Sequence, residues 1–213
     1  MLRRCLSLVV LLLVFGFAHG AELSREQALR QLSSEAAPLR HAGVIRLAEI
    51  GRMEDAKPLL ARLKDQDEDV REAAQLAVWA VWSRSGDQKI DALLAQGTLA
   101  MNSGQFEIAL ESFNRVVKQK PEFAEGWNKR ATLYYLAGET RKSIADCDQV
   151  LKRNPNHFGA LSGYGQLYLQ LGEPEKALQY FERAYAINPG MQGVAVNIEG
   201  IKRLLEQKRR RAT

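Results

Sequence analysis

Few residues of this 213-residue chain could do chemistry, and they are scattered along it. The sequence contains two cysteines, Cys5 and Cys147, and three histidines, His19, His41 and His157. No two of them have the close spacing of a metal site or a redox pair. Gly-rich phosphate loops and nucleophile elbows are also absent from the sequence. We therefore expect no catalytic residue, no metal site and no cofactor, and a protein that is not an enzyme.

A short acidic cluster is the strongest candidate for a metal site. Asp65, Asp67, Glu68 and Asp69 lie close together, and carboxylates bind divalent cations. The same residues directly precede a predicted helix, whose N-terminal end is positive and favours acidic side chains. We therefore interpret the cluster as a helix start.

The first twenty residues have the layout of a secretory signal peptide. Arg3 and Arg4 precede an uncharged, mostly apolar stretch at 6–18, and Ala18-His19-Gly20 places small residues before Ala21. The stretch of about 13 residues is shorter than the roughly 20 that span a bilayer. We expect residues 1–20 to be removed and the protein to be exported, with a periplasmic location. Secretion and an uncleaved, membrane-anchoring signal are the alternatives.

The net charge of +5 belongs to the two ends of the chain. Loss of Arg3 and Arg4 lowers it to +3, whereas residues 201–213 alone carry +5, so residues 21–200 carry −2. We therefore expect no nucleic-acid partner. The basic end could contact an anionic membrane surface through Lys208, Arg209, Arg210 and Arg211.

Residues in the second half of the chain recur every 34 positions. Three positions show this period. One is proline (Pro121, Pro155 and Pro189), one is glycine (Gly104, Gly138 and Gly172), and one is mostly aromatic (Phe113, Cys147 and Phe181). The glycines fall where one helix must turn into the next. A residue that precedes proline avoids the α region, so the prolines predict helix ends. Because Cys147 stands where the other units have Phe, we expect a buried thiol.

This pattern resembles the tetratricopeptide repeat (TPR), with units at 90–123, 124–157 and 158–191 inside a region at 88–191. The resemblance implies an all-α fold, an α-α superhelical solenoid of antiparallel helix pairs, and a concave face that binds a partner protein or peptide. The groove positions that it implies are Asp91, Leu94, Thr98, Met101, Asn102, Glu125, Asn128, Thr132, Tyr135, Leu136, Ser162, Gln166, Leu169 and Gln170. Asn128, Tyr135 and Gln166 are the best candidates for direct contacts. The groove departs from the Lys and Asn pattern with which carboxylate-clamp members grip acidic chaperone ends.

Two further regions flank the repeats. Residues 21–87 carry a 31-residue period, Leu39-Arg40 against Val70-Arg71, and resemble HEAT repeats, with a plain helical bundle as the alternative. Trp79 and Trp82 are expected to fill the junction with the TPR region. After Met191 an apolar stripe predicts a capping helix at 192–208, followed by a basic tail at 209–213. The function that we predict is a non-catalytic scaffold or adaptor of the cell envelope that binds a partner protein or peptide. A membrane-attached assembly factor is the first alternative, and an enzyme or cofactor carrier is the second.

Overall fold

The computed structural model describes residues 22–212, so the predicted signal peptide lies outside the described residues. Eleven α-helices and one 3₁₀ turn make up this part of the chain, which contains no strand. The all-α prediction is confirmed. None of the helices in residues 22–212 combines the length and the apolar character needed to cross a membrane.

The N-terminal region consists of two helix pairs. α1 (Arg25–Gln31) packs on α2 (Ala37–Ile50), and after the 3₁₀ turn Met53–Asp55, α3 (Ala56–Arg62) packs on α4 (Glu68–Trp82). A capping box begins α1: Ser24 Oγ accepts from Gln27 N–H, and Gln27 Oε1 accepts from Ser24 N–H. These two bonds satisfy amide groups that a helix start otherwise leaves unpaired.

The 31-residue period of this region reappears in its side-chain contacts. Arg40 donates to the carbonyls of Ser34 and Glu35, and Arg71 donates in the same way to Asp65 and Gln66. Arg40 also forms a two-pronged ion pair with the buried Asp65 carboxylate, at 2.6 and 2.8 Å, which joins the two pairs. The HEAT-like assignment stays a prediction, but the period has a physical basis in these arginines.

The acidic cluster has structural partners. The hydrogen bonds and charge of Arg40 hold the pKa of Asp65 below its ordinary value. Asp67 ends the preceding loop and accepts from Val70 N–H at 3.1 Å, which caps α4. Glu68 and Asp69 lie in the first turn of α4, where a helix favours negative charge.

Three helix pairs follow. They are α5 (Gln88–Asn102) with α6 (Phe106–Gln119), α7 (Ala124–Leu136) with α8 (Thr140–Arg153), and α9 (Phe158–Gln170) with α10 (Pro174–Ile187). Gly104, Gly138 and Gly172 have φ near +73° between the two helices of each pair, a conformation that other residues adopt only at a cost. The predicted turns therefore occur where the glycines are.

The close approach inside each outer pair depends on a second glycine. A Cβ on Gly165 would lie 2.5 Å from the ring of Phe181, and one on Gly97 would lie 2.6 Å from the ring of Phe113. Both rings are fully buried. The small residue and the aromatic ring, 16 residues apart, thus set the distance between the two helices.

We expect Gly165→Ala to lower the free energy of unfolding by about 1–2 kcal/mol, because the new methyl group overpacks against Phe181 by more than the helix gains from alanine. Gly163→Ala is the matched control: its Cβ meets only Cys147 Sγ, at 3.9 Å, so it should be neutral or stabilising by up to about 1 kcal/mol. Urea unfolding of the two variants tests this, and equal stability would contradict the packing account.

The last helix, α11 (Gln192–Ala212), covers the open end of the repeats. Val194, Ile198 and Ile201 are buried and belong to the same apolar cluster as Phe181 and Ala184. The predicted boundary between a helix ending at 208 and a tail at 209–213 is wrong, since the helix continues to Ala212. The arginines at 209–211 thus form its last turn, where cations stabilise the negative end of a helix.

The N-terminal region packs against the repeats through α4. Trp79 and Trp82 contact Phe158 with ring centroids 5.1 and 5.0 Å apart, and Trp82 stacks on His157 at 4.4 Å. Nearer the N-terminal end of α4, Gln75 Oε1 accepts from Asn188 Nδ2 at 2.6 Å. The tryptophans thus fill the junction, and their aromatic partners lie where the second and third repeat units meet.

Candidate functional site

A small pocket opens on the groove side of α7 and α9. Its volume is about 140 Å³. The three best groove candidates, Asn128, Tyr135 and Gln166, all line it, together with Thr132. Its remaining walls are mostly apolar: Ala131, Ser143, Cys147, Gly159, Ala160, Gly163 and Leu167. We call this the groove pocket.

The groove pocket exists because the middle unit lacks an aromatic ring. Phe113 and Phe181 fill the equivalent places in the outer units, but here the side chain is Cys147, which is much smaller. Gly163 on the facing helix α9 has no side chain to occupy the space, and its ideal Cβ would still lie 3.9 Å from Cys147 Sγ. A ligand side chain that entered this open, mostly apolar pocket would remove apolar surface from water, which favours binding.

The pocket rim offers uncharged hydrogen-bonding groups. Among the described residues, Tyr135 and Gln166 make no side-chain hydrogen bond, and both are partly exposed. Thr132 Oγ1 already donates to the carbonyl of Asn128 at 3.0 Å. The rim therefore has an amide and a hydroxyl available for a ligand, above an apolar floor.

The thiol in the floor is not a reactive group. Cys147 is buried, and burial together with the neighbouring Asp146 and Asp148 raises the pKa of its thiol to about 12. The thiolate, which is the nucleophilic form, is therefore scarce at neutral pH. The expectation that Cys147 is buried is confirmed, since only 3% of the residue is exposed.

A buried polar network lies where α7 and α9 begin. Glu125 Oε2 accepts from His157 Nε2 at 3.0 Å and from Asn128 Nδ2 at 3.2 Å, and the Lys129 ammonium lies 3.4 Å from Oε1. His157 also caps α9, because its Nδ1 accepts from Ala160 N–H at 3.1 Å. Nδ1 therefore carries no proton, and the proton on Nε2 points at Glu125.

The network keeps Glu125 charged despite its burial. Burial alone raises the pKa of Glu125, but the hydrogen bond from His157, the Lys129 ammonium and the hydrogen bond from Asn128 bring this pKa below its ordinary value of 4.5. His157 in turn stacks on Trp82. The carboxylate thus connects the second and third repeat units to the N-terminal region.

The other predicted groove residues fall into three groups. The side chains of Glu125, Leu94 and Met101 are buried, as is that of Asn128 in the pocket. Glu125 is in the network, and Leu94 and Met101 are in the core of the first unit, so their groove role stays a prediction. Asp91 accepts from Ser85 N–H at 2.7 Å and thereby joins the loop before α5. Solvent reaches the rest at least in part: Thr98, Asn102, Leu136, Ser162, Leu169 and Gln170.

The sequence pattern missed the floor of the groove pocket. Gly159 belongs to this floor, and the Trp79 ring lies against it. Gly163, Ala131 and Cys147 carry no functional motif, since they are small, apolar residues. The one available signal was the replacement of Phe by Cys in the middle unit.

Comparisons with known proteins agree with this architecture. A family model described as tetratricopeptide repeat matches residues 94–148 and 129–191. A TPR repeat-containing protein of Rhizobium etli is 33% identical over 93 residues, which is 43% of this chain and 46% of that protein. This chain therefore spans about half the length of that curated relative.

Solved structures show the same fold at low identity. The first TPR domain of Spaghetti (RPAP3), bound to an HSP90 peptide, is 20% identical with a TM-score of 0.54, covering 56% of this chain and 94% of that one. The Sgt2 TPR domain of Aspergillus fumigatus is 21% identical with a TM-score of 0.55, covering 60% and 85%. The TPR2B domain of yeast Sti1, in complex with pHsp70, is 19% identical with a TM-score of 0.51, covering 57% and 99%. From residue 94 to residue 191, this chain is thus similar to tetratricopeptide repeats in sequence, and its fold is that of the solved TPR domains.

Proposed function

We propose that this protein is a non-catalytic adaptor that binds a peptide segment of a partner protein in the groove between α7 and α9. TPR domains are protein-interaction modules, and the solved neighbours include complexes with HSP90 and pHsp70 peptides. The observation that carries the proposal is the groove pocket, which has an apolar floor and an uncharged polar rim.

The chemistry of the groove disfavours an acidic peptide. None of the predicted groove positions is a lysine or an arginine, and the pocket itself has no charged residue. A volume of about 140 Å³ suits one aliphatic side chain of the ligand. We therefore propose a peptide with an uncharged anchor such as Leu, Val or Met, with its backbone hydrogen-bonded by Tyr135 and Gln166.

Selection of peptides from a random display library against the purified protein tests this function. We expect the selected peptides to share one uncharged, medium-sized residue and to lose at least tenfold in affinity for Gly163→Leu, which fills the pocket. Gly200→Leu is the control, because a Cβ there meets nothing within 4 Å on an exposed face of α11. Equal affinity for the two variants would contradict binding in the groove pocket.

A second variant tests the rim. Tyr135→Phe with Gln166→Ala should weaken binding of the same peptides without a large change in melting temperature. The ring that packs against Cys147 and Leu167 is kept, and neither polar group makes a side-chain hydrogen bond among the described residues. Asn128 is unsuitable for this purpose, because its amide holds Glu125 and its loss would also destabilise the fold.

The proposed location is the cell envelope. Its support is the signal-like sequence at 1–20, and N-terminal sequencing of the protein recovered from the periplasm tests it, with a first residue of Ala21 expected. Retention of residues 1–20 would instead favour the membrane-attached alternative. That alternative is also supported by α11, which places Arg209, Arg210 and Arg211 in one exposed helical turn.

A further inference from the structure

A larger cavity lies away from the groove, between the N-terminal region and the repeats. Its volume is about 480 Å³, within the range of small-molecule sites. Its walls come from four segments: residues 53–60, the end of α4 at 82–85, the α6–α7 connection at 120–125, and the α8–α9 connection at 153–157. It shares no lining residue with the groove pocket. We call it the junction cavity.

The interior of the junction cavity is apolar and aromatic. Met53 and Leu60 line it from one side and Phe123 from the other, and Trp82 belongs to the lining as well. Trp82 and Phe123 are themselves almost fully buried, so they form firm walls. An apolar body that entered would remove further apolar surface from water, at about 25 cal/mol per Å².

Four cationic residues line the same cavity without a carboxylate partner. Within the described residues, Lys57, Arg84, Lys120 and Arg153 form no ion pair. The two arginines are held by backbone carbonyls instead: Arg84 by Gly51 at 2.9 Å and by Ala48, Arg153 by Gln149 at 2.7 Å and by Pro121. Their guanidinium groups are therefore positioned before any ligand arrives.

The acidic residues of the lining do not cancel this charge. Glu54 pairs with Arg25, and Glu125 Oε2 accepts from His157 and Asn128, while Oε1 has no hydrogen bond and lies 3.4 Å from the Lys129 ammonium. Glu122 is the remaining acid, and it is exposed. The cavity thus combines an apolar interior with an excess of unpaired positive charge.

We propose that the junction cavity binds an anionic amphiphile, a small ligand with an apolar body and one carboxylate. The apolar body would lie against Trp82, Leu60 and Phe123, and the carboxylate would be bound by the lysines and arginines, as charge-assisted hydrogen bonds favour. Either an acyl-chain carboxylate or the free carboxyl end of an apolar peptide supplies this chemistry. This site is independent of peptide binding in the groove.

Displacement of anilinonaphthalene sulfonate from the purified protein tests the site. We expect decanoate to displace the dye at least tenfold more effectively than decanol, which has a similar chain and no charge. A tetrapeptide of apolar residues with a free carboxyl end, compared with its amide, distinguishes the two ligand sources. Either carboxylate supports the site, and the tighter one identifies the source.

Charge variants locate the binding. Lys57→Gln with Lys120→Gln should lower the affinity for the carboxylate ligand at least tenfold. Lys89→Gln with Lys118→Gln is the control, because it removes the same charge from exposed positions outside the cavity and should leave this affinity within about twofold. Three results would overturn the proposal. They are an equal loss of carboxylate affinity in both double variants, displacement of the dye by decanol as effective as by decanoate, and no saturable displacement of the dye by either carboxylate. The groove variant Gly163→Leu should bind the carboxylate normally.

Discussion

Replacement of Trp82 by alanine is expected to lower the free energy of unfolding by about 3–5 kcal/mol, the range for removal of a buried aromatic side chain. Trp82 is 2% exposed and contacts three other rings: it stacks on His157, and its centroid lies 5.6 Å from that of Trp79 and 5.0 Å from that of Phe158. The variant loses one of the two tryptophans between the N-terminal region and the repeats.

The form of unfolding should change as well as its midpoint. With the junction weakened, urea unfolding followed by circular dichroism should become broader or separate into two steps, because the two regions no longer stabilise each other. Leu76→Ala on the same helix is the control, since Leu76 is 67% exposed and should cost no more than about 0.5 kcal/mol. A Trp82 variant as stable as this control would show that the contact is not a stabilising one.

Loss of the buried carboxylate is the second large effect. Glu125→Ala should cost about 3–5 kcal/mol at pH 7, because it leaves the Nε2–H of His157 and the Nδ2 amide of Asn128 buried without their acceptor. Glu125→Gln keeps an acceptor oxygen of similar shape and should cost less. In urea unfolding we expect Glu125→Ala to be the least stable, Glu125→Gln to be intermediate, and the wild type to be the most stable.

The same carboxylate predicts how stability depends on pH. Because the pKa of Glu125 is lower in the folded protein than its ordinary value of 4.5, its contribution is complete above that value and is lost as the pH falls through the folded pKa. Stability of Glu125→Gln should therefore fall less than that of wild type between pH 6 and pH 3. Glu111→Gln, at an exposed position, should keep the wild-type slope. An unchanged slope in Glu125→Gln would contradict the lowered pKa.

The repeat half of the fold was predictable because its signals are local and recur. The backbone of each turn has a positive φ at Gly104, Gly138 and Gly172, a conformation that glycine adopts most readily. The 34-residue spacing of these glycines therefore predicts where the helices turn. The buried aromatic rings Phe113 and Phe181 are likewise expected from residue type and register. Such features depend on a residue and its neighbours within one unit.

The site was less predictable because it depends on contacts between units. The burial of Glu125 follows from His157, which is 32 residues away, and from Trp82 on a helix of another region. The position of a residue within its repeat unit gives no information about contacts with α4, which lies outside the repeats. The groove pocket itself arises from an absent ring at Cys147, and only the comparison of three units in one sequence indicates such an absence.

The path of α4 also limits how this protein can evolve. In a simple solenoid each unit contacts its neighbours alone, so units can be duplicated or deleted with local consequences. Here Gln75 of α4 contacts Asn188, which lies 113 residues further along the chain. The tryptophans of α4 contact Phe158, which lies about eighty residues further along. Insertion of one more unit before α9 would carry Phe158 out of reach of the tryptophans. The number of repeats is thereby coupled to the contacts of a single helix.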